Sequence, residues 1–384
     1  MGRRLCIFSA LFLPSMGGVE VFTDHLARTL EDEGHVVTIV TNDTHGEGER
    51  ERLSEGVEVV RLPCWGLVGG RLPVPKPNRR LRALLRGLKR DAFDGVLVNT
   101  RFYPHSLIGA WVARRQGGRA VVLDHGADYL TFGNPLLDKV VAAYEHGVTA
   151  ILKRFVPAFY GVSPSSVTWL SRFGIEGAGV IPNAIDAESY RSLASARSFR
   201  RELGVPSQAP VVSFVGRLVP EKGVREFVEA ARLVSSSTPV AFVVAGEGPL
   251  EEELRRNAPS CVSLVGRLEP HDVAALLGES DLFCFPSRSE GFGSALLEAA
   301  ICGALPITTD VGIARSLVPD ESYGIVLDEP SAEKIAEAVD ECVMRLADTK
   351  QRAARCAERA ASLYSWEESA AALIDALDRA MPQR

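Results

Sequence analysis

DLFCFPSRSEGFGSALLEAAI, residues 281–301, carries three signals in succession. It begins with an apolar run short enough for a buried strand, passes through a polar turn holding Gly291 and Gly293, and from Ser294 places its apolar residues at helical spacing. A buried strand that turns through glycines into a helix is half of a β-α-β unit. The same rhythm extends in both directions. VVSFVG, a helix over 224–234, VAFVVAG, CVSLVG and a helix from His271 precede it, and LPITT and YGIVL follow. The first half of the chain repeats the pattern: RLCIFSA, a helix over 19–33 stopped by Gly34, HVVTIVT, VEVVRL, a helix over 78–90, GVLVNT, AVVLDHG and FYGVS, ending near residue 182. The spacing predicts an α/β protein with two doubly wound parallel sheets. Residues 183–210, rich in Ala, Ser and Arg and without a strand, read as the hinge.

A length of 384 residues with 46% hydrophobic content suffices for two cores. Two such sheets in tandem would leave a cleft at their strand carboxyl ends, where open α/β folds take ligands. A net charge of −6 exerts no general pull on nucleic acid, and the aromatic residues show no base-stacking pattern. Seven cysteines without a C-x-x-C pair read as reduced, packed thiols of a cytoplasmic protein. Arg3-Arg4 and LCIFSALFLPSM imitate a secretory signal, but no small-x-small site follows, and a buried first strand explains the same residues. No run approaches the ~18 apolar residues of a membrane span.

Gly291 and Gly293 let backbone amides approach a ligand, and the following helix adds its positive end, a pairing that suits a diphosphate as well as an ordinary turn. Glu298 lies among Ala295, Leu296, Leu297, Ala299, Ala300 and Ile301, where a carboxylate needs a polar partner such as a ribose diol. Glu290 is placed to do the same for sugar hydroxyls. Arg217, just past VVSFVG, and Lys222 could hold a diphosphate leaving group, or could belong to a solvated loop. No D-x-D triplet or His/Cys cluster offers a metal site, so these cations would replace a metal, and no cofactor is expected. The absence of G-x-x-x-x-G-K-[ST] and G-x-G-x-x-G argues against ATPase and dehydrogenase readings. In the first half, Gly17 and Gly18 open a helix and can offer amides. His125 closes AVVLDHG at a strand end, with Asp124 and Asp128 beside it as weaker candidates. The run carrying Arg71, Lys76, Arg79, Arg80, Arg82, Arg86, Lys89 and Arg90 reads either as a solvated helix face or as a peripheral contact with an anionic membrane.

These residues resemble the retaining GT-B glycosyltransferases that include sucrose synthases and phosphatidylinositol mannosyltransferases. The likeness runs through GGVE at 17–20, DHG at 124–126, VSPS at 162–165, VIPNAID at 180–186, FVGRLVPEKG at 214–223, VAGEGPL at 244–250 and the block at 279–307. Its most specific element is the E-x7-E spacing of Glu290 and Glu298. Ala184 departs from the glycine many relatives carry there. The resemblance implies a first Rossmann-like domain over 1–188, rejoined by a helix at 366–384, and a donor-binding domain over 189–365. It implies that Arg217 and Lys222 bind the diphosphate of a UDP- or GDP-sugar and that Glu298 holds the ribose. Glu290 with the amides of Gly291, Phe292 and Gly293 would contact sugar and phosphates, His125 would face the transferred sugar or acceptor, and Gly17 and Gly18 would line the phosphate site. The acceptor would be a hydroxyl, and the 71–90 run with TAILKRFVPAFYG permits a lipid-linked one at the inner membrane face, in envelope glycan, glycolipid or polysaccharide synthesis. A nucleotide-sugar epimerase of the same architecture and a non-catalytic partner subunit are the competing readings.

Overall fold

The computed structural model describes residues 2–70, 72–117, 119–130, 135–156, 158–235 and 239–380. Arg71 and the end of the predicted 366–384 helix, residues 381–384, lie outside them. The chain divides into two compact units, Met1–Ala184 with Trp366–Arg384, and Ile185–Ser365.

Unit 1 opens with β1 (Arg4–Phe8), α1 (Gly18–Asp32) and β2 (Val36–Asp43), followed by β3 (Arg50–Arg52), β4 (Val57–Leu67) and β5 (Leu72–Pro75). It continues through α2 (Arg79–Arg90), β6 (Gly95–Asn99), α3 (Pro104–Gln116), β7 (Arg119–Asp124), α4 (Pro135–Leu152), β8 (Ala158–Gly161), α5 (Pro164–Leu170) and β9 (Gly179–Val180). The strands stand in the order β3-β4-β2-β1-β6-β7-β8-β9, parallel from β4 to β9, with β3 and β5 antiparallel to β4. The antiparallel β4–β5 pair was not expected from VEVVRL alone, since Pro63 hides the continuation of β4 to Leu67. β1 and β6, buried on both faces, are the apolar runs LCIF and GVLV, as the centre of a parallel sheet requires. α2 starts where the Asn78 side chain accepts from Leu81 N and buries Leu81, Leu84 and Leu88, which turns its arginines outward.

Unit 2 begins with the short helices α6 (Ala187–Ser192) and α7 (Phe199–Glu202), and no strand interrupts them. Then follow β10 (Val211–Val215), α8 (Val224–Leu233), β11 (Ala241–Ala245), α9 (Glu251–Asn257), β12 (Val262–Gly266) and α10 (Pro270–Gly278). The second half of the unit comprises β13 (Leu282–Phe285), α11 (Ser294–Ile301), β14 (Leu305–Thr309), α12 (Ala314–Leu317), β15 (Ile325–Leu327), α13 (Ala332–Met344) and α14 (Leu346–Leu363). Its six parallel strands run β12-β11-β10-β13-β14-β15, so strand order reverses between β10 and β13. In unit 1 the corresponding reversal lies between β1 and β6. Successive crossovers leave such a point on opposite faces, and the open carboxyl ends there are where doubly wound sheets bind ligands. All seven cysteines are unpaired, and five of them are buried.

The last helix, α15 (Trp366–Arg379), belongs to unit 1. Trp366 stacks on His25 at 4.8 Å, Ser369 Oγ donates to Pro182 O at 2.6 Å, and Asp378 pairs with both Arg3 and Arg119. Leu377, 1% exposed, packs so close to Gly95 that a Cβ there would come within 2.6 Å of it. Leu377→Ala should therefore lower the stability of unit 1 by about 2–5 kcal/mol. Urea unfolding followed by the fluorescence of Trp366 would register the loss.

Candidate active site

In unit 2 the loops after β10 and β13 meet. Gly223 adopts φ +70 with its Cα against Pro286 O, a place no side chain could share, and this lays the 217–222 loop along the end of β13. Arg288 N donates to Glu221 O at 2.8 Å and completes the junction. Lys222 Nζ consequently bonds Glu290 Oε1, which also accepts from Ser287 Oγ at 2.7 Å. Arg217 is exposed two residues past β10, and its guanidinium has no partner among the described residues. The pairing of Lys222 with Glu290 was not foreseen: the two were assigned to different parts of a ligand, and the fold joins them directly.

α11 begins at Gly293, φ +94, a residue that offers no side-chain cap. The turn is pinned from below, where Ile313 N donates to Phe292 O at 3.0 Å and Gly312, φ +55, sits against the same carbonyl. Glu298, one turn into α11, accepts from the Tyr190 hydroxyl at 3.0 Å. Burial pushes the Glu298 carboxyl up, and the Tyr190 bond holds it partly down; burial likewise raises the Tyr190 phenol, with Glu298 adding to it. Tyr190 lies 108 residues upstream in the hinge segment, and nothing in its neighbourhood of the sequence points to Glu298.

In unit 1 a cavity of about 210 Å³ lies at the carboxyl ends of β1, β6 and β7, lined among others by Glu20, Arg101, Tyr103, Asp124, His125 and Asp128. α1 opens at Gly17 without a side-chain cap, and the Glu20 carboxylate lies against Gly17 where an added Cβ would go. Burial raises the Glu20 carboxyl. The Asp124 side chain turns inward to Arg101, 1% exposed, whose guanidinium also meets Glu145 at 2.8 Å and Thr149 at 3.2 Å. The Phe173 ring lies 3.6 Å from that guanidinium. Two buried carboxylates share one cation, and burial raises Asp124 to about 6 against the pull of Arg101. Asp128 is exposed and accepts from Tyr129 N. His125 is half-buried, meets Asn99 Oδ1 through Nε2 at 3.2 Å, and is driven down to about 3 by burial. Of the sequence candidates, Gly17, Asp124 and His125 gather at the ends of these strands, and Glu290, Gly291, Phe292, Gly293, Glu298, Arg217 and Lys222 gather in unit 2. Arg101, Glu20 and Tyr190 were missed.

Among the described residues no group of three or more His, Cys, Asp or Glu side chains could hold a metal ion. Unit 2 offers a pair of cations, a helix start without a side-chain cap and two carboxylates at its strand reversal; unit 1, taken by itself, offers a cavity whose lining includes Glu20, Asp124 and Asp128.

Residues 16–189 match the family model "Glycosyltransferase Family 4", and residues 195–362 match "Glycosyl transferases group 1". A GDP-mannose-dependent alpha-(1-6)-phosphatidylinositol dimannoside mannosyltransferase of Mycobacterium tuberculosis is 27% identical over 95% of this chain and 93% of its own. The phosphatidylinositol N-acetylglucosaminyltransferase GPI3 subunit of Saccharomyces cerevisiae is 24% identical over 98% of this chain and 82% of its own. Sucrose-phosphate synthase of Thermosynechococcus elongatus superposes with a TM-score of 0.71 at 20% identity, covering 97% of this chain and 98% of that one. HepE of Anabaena, solved with UDP and glucose, gives 0.67 at 20% identity, covering 98% and 99%. The architecture is GT-B, two Rossmann-like domains in one chain. The chain belongs to the glycosyltransferases that these two models describe.

The histidines make unit 1 sensitive to acid. Burial lowers His105 to about 4 and His125 to about 3, so between pH 6.5 and 4 the unfolded chain binds protons that the fold refuses, and stability falls as pH falls. Asp124, raised to about 6, works in the opposite sense between about pH 4 and 6 and offsets part of the loss. At pH 5 each histidine should cost ~2 kcal/mol relative to pH 7.5. Melting temperatures across this range should decline less steeply for His125→Gln than for the wild type.

Proposed function

We propose that the chain is a retaining, metal-independent glycosyltransferase that takes a hexose-type sugar from a nucleoside-diphosphate donor held by unit 2 and delivers it to an acceptor hydroxyl. The observation that carries this reading is the convergence of Arg217, the Lys222–Glu290 pair and the uncapped start of α11 at the strand reversal between β10 and β13. The unpartnered Arg217, Lys222 and the amides at Gly293 would meet the pyrophosphate and neutralise it as it departs. Glu290 steadies the Lys222 ammonium and presents its carboxylate to sugar hydroxyls. Glu298, raised by burial, would regain hydrogen bonds from the ribose diol. In unit 1, His125 and a cavity whose lining includes Glu20 and Asp128 suit a polyhydroxy acceptor better than an anion, and Gly17 and Gly18, at the start of α1, would supply amides. In the transfer, the acceptor oxygen bonds the anomeric carbon on the face from which the diphosphate leaves. The carbon–oxygen bond to the diphosphate breaks, and the departing oxygen takes the acceptor's proton, so configuration is retained.

The relatives named for phosphatidylinositol acceptors favour a glycolipid acceptor here. No helix among the described residues is long and apolar enough to cross a membrane. α2 instead turns Arg82, Arg86 and Lys89 with Trp111 of α3 onto an open groove, and α4 exposes Leu136, Leu137, Val140 and Ile151. Cations on α2 and exposed apolar side chains on α4 of the same unit suit peripheral contact with an anionic leaflet, a cytoplasmic enzyme working at the inner face of its membrane.

Arg217→Ala combined with Lys222→Ala should lower kcat/KM with a nucleotide-sugar donor by about 10²–10³-fold or more while leaving the melting temperature unchanged. Unaltered turnover in that variant, an inverted product anomer by NMR, or activity that vanishes with chelator and returns with magnesium would each overturn the assignment. Separately, the protein should sediment with phosphatidylserine-containing vesicles at low salt and release at high salt. Equal partition to neutral vesicles, or none to either, would remove the membrane contact.

A further inference from the structure

The hydrogen bonds behind His125 run in one direction. Thr23 Oγ1 donates to Val19 O at 2.7 Å, one turn back in α1. Asn99 Nδ2 donates to Thr23 Oγ1 at 2.9 Å, and Asn99 Oδ1 lies 3.2 Å from His125 Nε2. A hydroxyl owns one proton, and a carbonyl can only accept. With the Thr23 proton committed to Val19 O, the Thr23 oxygen can only receive, so the NH₂ of Asn99 must face it and the amide oxygen must face the ring. His125 Nε2 then carries the ring proton. The reverse arrangement would turn the amide over and draw the Thr23 proton away from Val19 O. Ser9 offers no relief, since its hydroxyl donates to Leu11 O at 2.8 Å and stands 3.4 Å from Thr23 Oγ1. Thr23 and Asn99 are at most 1% exposed and so closed to bulk solvent. Phe22 packs edge-on to the imidazole at 5.2 Å and limits its rotation. Burial keeps the ring neutral, the only state in which one nitrogen is bare. His125 Nδ1 has no partner among the described residues, and the ring lines the 210 Å³ cavity.

We propose that Asn99, backed by Thr23, is a positioning residue that holds His125 as the Nε2–H tautomer, leaving Nδ1 as the lone pair offered to a hydroxyl in the cavity. The use made of that lone pair rests on the acceptor role given to unit 1 above; the tautomer does not, because it belongs to the resting protein. Asn99 follows from the strand reversal of unit 1. It is the last residue of β6, next to β1, and the residue after it, Thr100, sits at φ +67, a conformation rare outside glycine that turns the chain away at that point.

Long-range ¹H–¹⁵N correlation of the imidazoles in ¹⁵N-labelled protein at pH 7.5 tests it, with the His125 signals recognised by their absence in His125→Gln. The wild type should show Nε2 protonated and Nδ1 bare. Asn99→Leu, which removes the acceptor, should give a mixture of tautomers, as should Thr23→Val; Thr23→Ser keeps the hydroxyl and should keep the wild-type pattern. An Nδ1–H ring in the wild type would overturn the proposal without any variant, and so would an unchanged pattern in both Asn99→Leu and Thr23→Val. If the pattern shifts in Asn99→Leu while kcat with any active donor stays within twofold, the tautomer assignment stands and the role of His125 in transfer falls. A loss of kcat of about tenfold or more with donor KM unchanged supports both.

Discussion

Parallel strands cannot be joined by hairpins, and each must be reached by a crossover that packs on one face of the sheet. When the order of strands reverses, as at β1/β6 and again at β10/β13, the crossovers depart to opposite faces, and the carboxyl ends of the two central strands are left uncovered. Nearly everything chemical in this molecule is attached to those ends. Gly17 follows β1, Asn99 ends β6, and Asp124 and His125 sit at the end of β7. Arg217 follows β10, and the Glu290 turn follows β13. The apolar centres of both sheets, buried on each face, hold these ends in place.

The two sites differ in how charge is handled. In unit 2, cation and carboxylate are joined in a partly buried pair, Lys222 with Glu290, while Arg217 has no ionic partner among the described residues and is exposed. In unit 1, charge is taken inside. Arg101 is enclosed by Asp124, Glu145, Thr149 and the face of Phe173, and truncating it would leave two buried carboxylates without a counterion. That arrangement ties β6, β7, α4 and the segment around Phe173 to one guanidinium and commits the Asp124 carboxylate to Arg101, while its neighbour His125 stands in the lining of the same cavity without an ionic partner among the described residues.

Much of the fold was readable because its signals are local. A run such as LFCF followed by a glycine turn and an apolar helix states a strand, a crevice and a crossover within 20 residues, and both sheets announce themselves in this way. Glu290, Glu298, Arg217 and Lys222 drew notice as candidates for the same reason, since each is out of character with its immediate neighbours. What escaped is what depends on distant partners. Tyr190 bonds Glu298 from the hinge, Arg101 draws together residues 23 and 44 positions away, and Glu20 leans on Gly17 by virtue of a helix start that periodicity cannot resolve. The β4–β5 pairing escaped because Pro63 reads as a terminator, although β4 runs through it to Leu67.

The return of α15 to unit 1 makes that unit discontinuous along the polypeptide, with all of unit 2 inserted between residues 184 and 366. During synthesis the ribosome therefore delivers a sheet whose closing helix does not yet exist. The surface later covered by Trp366, Ser369 and Leu377 stays open until some 180 further residues have emerged. A nascent unit 1 carries an exposed apolar seam for that interval, and its last step of assembly is a long-range docking rather than a local collapse.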